Sequence, residues 1–209
     1  VPSMRVSDTQ REAQRGVLSY YRDLSQVQQT LRVPVSREGF EQDGSSSASS
    51  KRLDIGFTGT RRGMSQIQRQ QVMDLLSDIS VAYPDYDLWA HHGDCVESDE
   101  DFHDMARSIG YRIHVHPPDN RKLRAFCIGD KYEPTKPYKI RNADIVRESQ
   151  LLIATPHFNE RDGGSIYSGT WATVRIAKRR SVPYVIFHSD GRREGKKWQR
   201  FLTNSEKSQ

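Results

Sequence analysis

Leu53-Asp-Ile-Gly-Phe-Thr-Gly-Thr-Arg61 is the stretch whose reading decides the fold. A short apolar run stops at glycine, threonine and arginine, and a long amphipathic pattern follows. That order predicts a strand, a tight turn and a helix whose N-terminus faces the turn. Helix N-termini carry N–H groups without intrahelical acceptors and a partial positive charge, so such a turn has the form of an anion site. Gly163-Gly-Ser-Ile-Tyr-Ser-Gly-Thr-Trp171 repeats the arrangement between a strand-like and a helix-like run. Each turn alone is a weak motif. Together, in one small α/β unit, they point to a pocket for a nucleotide or phosphosugar.

Outward from Leu53 the elements alternate. A helix over about 65–80 places Ile67, Val72, Leu75, Leu76 and Ile79 on its buried side. Strand 87–92 ends at Gly93, helix 99–109 is stopped by Gly110, and strand 111–116 runs into Pro117-Pro118. A long loop passes Lys136-Pro-Tyr138; helix 140–148, strand 151–155, helix 170–180 and strand 183–188 follow. Strand and helix in alternation predict an α/β fold: a Rossmann-like parallel sheet of about five strands with helices on both faces. Ligands of such sheets bind at the carboxyl ends of the strands, where the order reverses.

The rest of the chain reads as appendages. Residues 7–31 form an amphipathic pattern, with Ser7 as N-cap and Ala13, Val17, Tyr20, Tyr21, Leu24, Val27 and Leu31 at helical spacing, ended by Pro34. Residues 42–51 are a serine-rich linker by composition. The expected division is an N-terminal helical arm with linker (1–50), a Rossmann-like domain (51–191) and a basic tail (192–209). The arm's apolar stripe suits docking onto a protein partner or a neighbouring copy, with folding back onto its own sheet as the alternative. The valine start is consistent with a chain cut from something longer.

Composition narrows the class. The 209 residues are 34% apolar, and no run approaches the roughly 18 apolar residues of a membrane span. No secretory apolar region follows the N-terminus, which makes a cytoplasmic or intracellular location the expectation and excludes a membrane partner. Cys95 and Cys127 have neither zinc-site spacing nor the number for a disulfide framework, so reduced thiols are expected. The net charge is +5, and residues 178–209 hold nine basic against three acidic side chains. Such an end can hold nucleic acid, although a solvated, solubilising end has the same composition.

The ordered series Gly56-Phe-Thr-Gly-Thr60, His91-His-Gly-Asp-Cys95 with Asp99 and His103, and His114-Val-His-Pro-Pro118 continues through Lys136-Pro-Tyr138 and Arg141-Asn-Ala-Asp-Ile145. Ala154-Thr-Pro156 and Ser168-Gly-Thr-Trp-Ala-Thr-Val-Arg175 complete it. Over residues 53–191 the chain resembles the SLOG superfamily, the Rossmann-like nucleotide-binding proteins that include the LOG or lysine-decarboxylase-like enzymes, and within it an uncharacterised bacterial and phage branch. The resemblance implies that Gly59, Thr60 and Arg61 meet a phosphate or ribose after the first strand. It places Gly93 and Asp94 after the second, with Gly169 and Thr170 presenting N–H groups to phosphate after the fourth. Glycine permits close backbone approach and threonine offers a hydroxyl, although the same glycines also serve tight strand-to-helix turns.

Two departures from that pattern matter. Relatives carry glycine and alanine where this chain has Glu97-Ser98, and a carboxylate there would face phosphate. LOG enzymes place a glutamate two residues after the glycine-threonine pair, where this chain has Ala172. Catalysis of that type is therefore not expected. Asp94, Asp99 and Glu97 could hold Mg²⁺ beside a nucleotide, with helix capping as an equal account of Asp99. Arg141 starts a helix after a long loop and suits an anion clamp. His114 and His116, with His103, are read as hydrogen-bonding residues and not as a metal site. Cys95 reads as a small buried hydrophobe.

Two functions follow. The first is binding of a nucleotide or nucleotide-derived ligand at the carboxyl edge of the sheet, with sensing or N-glycosidic or phosphate-ester hydrolysis as outputs. The second is a structural or docking component of a large assembly, such as a virus particle, that reuses the fold.

Overall fold

The computed structural model describes residues 51–160 and 167–202; the expected helix of residues 7–31, the serine-rich stretch up to residue 50 and residues 203–209 lie outside them. The described residues form one sheet from β1 (Arg52–Gly59), β2 (Asp87–His92), β3 (Arg112–Val115), β4 (Lys131–Tyr132), β5 (Leu151–Thr155), β6 (Tyr184–Phe187) and β7 (Arg193–Lys196). The helices are α1 (Gln66–Ala82), α2 (Ser98–Ile109), α3 (Tyr138–Glu148) and α4 (Gly169–Arg180). The spatial order is β4-β3-β2-β1-β5-β6-β7, parallel throughout except for the antiparallel pair β6 and β7. The chain steps outward from β1 to β4 and then returns to the other side of β1. The order therefore reverses between β1 and β5.

β1 is buried from Leu53 to Thr58, as expected of a strand covered on both faces. Phe57 stacks on Phe102 of α2 with ring centroids 4.3 Å apart, which fixes the face toward α2. On the other face Ile145 and Val146 of α3 pack with Trp171, Val174 and Ala177 of α4 and with Leu152 and Ala154 of β5. The helices obey local rules. α2 opens with Asp99, Glu100 and Asp101, which favour its positive end, and closes on Gly110 in the left-handed conformation at φ 101°. In α1, Val72, Leu75, Leu76 and Ile79 are buried as their spacing predicts, but Ile67 is 44% exposed. Its expected place is taken by Gln68, whose amide donates to the Pro156 carbonyl at 2.9 Å and the Phe187 carbonyl at 2.8 Å, tying α1 to the ends of β5 and β6.

The five expected strands are present, with β4 and β7 added at the two edges. β4 has two residues, and β7 reads Arg-Glu-Gly-Lys with every residue exposed, so neither carries an apolar alternation. Charge on an edge strand discourages pairing with other chains. Arg193–Lys196 thus belong to the sheet, and the 3-10 helix Gln199–Leu202 packs against α1 and buries Phe201. Phe201→Ala is expected to cost about 3–5 kcal/mol. Urea denaturation measures it, and an unchanged midpoint would mean that this end contributes nothing to the fold.

Candidate ligand-binding site at the sheet reversal

The ends of β1 and β5 meet the N-terminus of α4. Ser168 caps α4, its hydroxyl accepting the Trp171 N–H at 3.4 Å. Thr170 donates its hydroxyl to the Gly59 carbonyl at 2.8 Å, so the turns at Gly59 and Gly169 lie at one end of the sheet. In front of them is a half-open cavity of about 270 Å³ lined by Thr60, Arg62, His157, Phe158, Tyr167, Ser168 and Trp171. A Cβ on Gly169 would meet no side chain of the described residues within 4 Å. The first N–H groups of α4 have no acceptor within the helix, and Ser168 and Trp171 at that end line the cavity.

The β1 turn is built differently. A Cβ on Gly59 would lie 2.3 Å from Ser98 Cβ, so close packing of α2 imposes that glycine. Thr60 does not stand at a helix start, since α1 begins at Gln66. The α1 N-terminus is closed by its own capping box: Ser65 Oγ accepts the Gln68 N–H at 3.3 Å, and Gln68 Oε1 accepts the Ser65 N–H at 2.9 Å. The Thr60 carbonyl accepts the Ser98 hydroxyl at 2.6 Å, and its own hydroxyl accepts the Arg62 N–H at 3.3 Å. Of the two helix N-termini the sequence suggests, only that of α4 faces the cavity. Arg61 is exposed. Arg62, which the sequence reading passed over, lies 5.4 Å over the Phe158 ring. Phe158 is 46% and Tyr167 87% exposed, two aromatic faces beside the cavity. His157-Phe158 directly after β5 was the available signal, because aromatics in a polar loop past a strand end are seldom needed for the core.

Gly93, Asp94, Asp99 and Arg141 form a second group at the end of β2, buried and turned inward. Asp94 accepts from Arg124 Nε at 2.6 Å and from the Cys127 N–H at 2.9 Å, which commits its carboxylate to the loop after β3. Arg141 packs on Gly93, where a Cβ would fall 1.5 Å from its Nη1, and donates to Cys95 Sγ at 3.1 Å. Asp99 accepts the Cys95 N–H at 3.1 Å. Burial raises the Asp99 pKa, opposed by the Arg141 charge and by the N–H groups of Cys95 and Gly93. Burial also raises the Cys95 thiol, with Asp99 adding to it, and pushes Cys127 up to about 12. Neither thiol is a nucleophile near neutral pH. The carboxylates proposed for Mg²⁺ are turned apart: Asp94 to the Arg124 loop, Asp99 to its own backbone, and Glu97 toward Gly63.

The histidines divide between the two faces of the sheet. His92 and His103 meet at 3.1 Å on the α2 side, near Cys127. His91, His114, His116 and Glu148 gather on the α3 side. His103 therefore does not join His114 and His116.

No protein-family model matches the chain, and no curated protein matches it in sequence. Solved structures do. The molybdenum cofactor binding protein of the phototrophic bacterium Rippkaea orientalis is 16% identical, with a TM-score of 0.52 over 77% of this chain and 88% of that one. The fold is Rossmann-like. The molybdenum cofactor carrier protein of Chlamydomonas reinhardtii gives 15% identity and a TM-score of 0.49 over 76% and 86%. DNA processing protein A of Streptococcus pneumoniae gives 17% and 0.44 over 65% and 50%.

Glu97 precedes α2 at φ 72° and ψ −106°, makes no capping bond, and leans over the β1 turn. Only glycine takes that backbone conformation without strain, so Glu97→Gly is expected to stabilise by about 1 kcal/mol, raising Tm by about 2–4 °C. Scanning calorimetry reads this directly; a lower Tm would show that the carboxylate has a stabilising partner.

Removing Arg141 raises the Asp99 pKa further. A carboxyl with a folded pKa above its unfolded value contributes stability that is present below the unfolded pKa and lost as pH rises through the folded one. Arg141→Met should therefore lose about 3–5 kcal/mol once Asp99 is ionised, and less in acid. Urea denaturation at about pH 5 and about pH 8 should show the larger deficit at the higher pH, and adding Asp99→Asn should abolish that difference.

Proposed function

We propose that this chain is a member of the SLOG superfamily and that it binds a nucleotide or nucleotide-derived ligand, without turnover, in the cavity at the sheet reversal. The observation that carries this reading is the room at Gly169, where a Cβ would meet no side chain of the described residues, at the helix end that borders the cavity. A glycine that packing among the described residues does not require, at a capped helix N-terminus beside a cavity, suits the close approach of a phosphate to backbone N–H groups. Arg62 adds a cation at the rim, and the exposed rings of Phe158 and Tyr167 suit a heteroaromatic base. Binding is favoured over N-glycosidic hydrolysis because the described residues lining the cavity include no carboxylate, leaving His157 as the one imidazole there. That a molybdenum cofactor binding protein has the same fold agrees with a small-molecule cargo.

Calorimetry with AMP and with adenosine tests the reading. AMP is expected to bind and adenosine to bind more weakly, since the phosphate makes the backbone contacts. Gly169→Ala keeps the fold, because the site has room and alanine favours helix, and should weaken AMP by at least tenfold, about 1.4 kcal/mol. Equal affinity of wild type and variant, or no heat with any adenine nucleotide, would overturn it.

A further inference from the structure

On the α3 side of the sheet, away from the lining of the cavity, four side chains converge whose hydrogen bonding leaves a deficit of protons at the centre. His91 on β2 places Nε2 2.6 Å from Asp54 Oδ1, and His114 on β3 places Nε2 2.9 Å from Glu133 Oε1. Carboxylates only accept, so both Nε2 atoms carry a proton, and in the neutral rings both Nδ1 atoms are bare lone pairs. With His91 neutral, the proton in its 2.9 Å contact between Nδ1 and His116 Nε2 belongs to His116, which leaves His116 Nδ1 bare as well. His114 Nδ1 has no hydrogen-bond partner, is fully buried, and lies 3.7 Å from Glu148 Oε2, another acceptor. His116 Nδ1 is equally buried and unpartnered, and it is the atom that takes up the ring proton when Nε2 turns to an ion. Facing acceptors repel unless a cation lies between them.

We propose that His91, His114, His116 and Glu148 bind a divalent first-row transition ion of the zinc type. Each of the four offers a ligand atom within 4.8 Å of the other three. A tetrahedral ion with bonds of about 2.0–2.1 Å needs separations of about 3.3 Å, so His91 and His116, now 2.9 Å apart, separate slightly while Glu148, 3.7 Å from His114 and 4.0 Å from His116, moves in. Imidazole with a single carboxylate is a donor set that zinc accepts. The outer partners are in place: Asp54, itself held by Arg52, and Glu133 fix the tautomers and ring orientations of His91 and His114. His116 gives up its bond to His91 by moving its proton from Nε2 to Nδ1, and stays neutral. Glu148, 29% exposed, is the side from which the ion arrives. Four protein donors leave no position for a substrate, so the ion is structural, joining β2, β3 and the end of α3.

The histidine pair on the other face provides the contrast. His92 Nδ1 accepts the Asp94 N–H at 3.1 Å, so its Nε2 carries the proton and donates to His103 Nδ1 at 3.1 Å. That chain is satisfied within the protein and has no facing acceptors.

The untagged chain, stripped with a chelator, is titrated with Co²⁺ and then with Zn²⁺. One equivalent of Co²⁺ should bind with the visible ligand-field spectrum of a four-coordinate site, and Zn²⁺ should displace it and raise Tm. His114→Gln and His116→Gln should lose the spectrum, Glu133→Gln should weaken uptake by about 10–100-fold, and His103→Gln should leave it unchanged. No cobalt spectrum in the wild-type chain overturns the proposal whether or not the variants fold. So does a spectrum that persists in His114→Gln and disappears in His103→Gln.

Discussion

β1 is pressed by helices on both faces, and two residues without side chains allow it. A Cβ on Gly56 would stand 2.5 Å from Ser149 Oγ and 3.1 Å from Ile145 on the α3 side. One on Gly59 would stand 2.3 Å from Ser98 Cβ on the α2 side. The two approaches pin the central strand between layers. They also bring hydroxyls to the last carbonyls of β1: Thr170 to Gly59 and Ser98 to Thr60. The strand end is thereby consumed by the protein's own bonds. What is left to meet an anion is the N-terminus of α4, which arrives beside β1 only because β5 lies there in the sheet.

The periodic elements were legible because burial on two faces forces apolar runs and burial on one forces a helical stripe. β7 was not, since an exposed edge strand needs only its backbone, and Arg-Glu-Gly-Lys gives no pattern to read. The site was legible in position and less so in membership. Charged residues just past strand ends look like ligand groups. Asp94 and Arg141 are such residues, but the structure turns them inward to hold the loop after β3 and to cover Gly93. Sequence gives a residue's place along the chain and not the direction of its side chain. The same limit hides the difference between Gly59 and Gly169, one imposed by a neighbour and the other with no such neighbour among the described residues.

Side-chain direction also explains the histidines. Adjacent residues in a strand point to opposite faces, so His91 and His92 belong to different layers although they are neighbours in sequence. His91 pairs in register with His114, which puts those two on one side with His116, while His92 turns to His103 on α2. Spacing alone suggests grouping His103 with His114 and His116. The pleat forbids it.

α3 links the buried ends of these two constructions. Arg141, Ile145 and Glu148 follow one another at helical spacing, and residues seven apart in a helix lie within about 20° of the same face. Arg141 covers Gly93 at the end of β2, Ile145 meets Gly56 of β1, and Glu148 faces His114 and His116. A helix of 11 residues is too short to bend between these contacts without breaking its own hydrogen bonds. An ion gripped by Glu148 would therefore also hold Arg141 in place over Gly93, with Asp99 and Cys95 behind it. Loss of the ion would free the end of α3 first, because two of the three imidazoles are on strands locked by their ladders and Glu148 is on the helix that covers them.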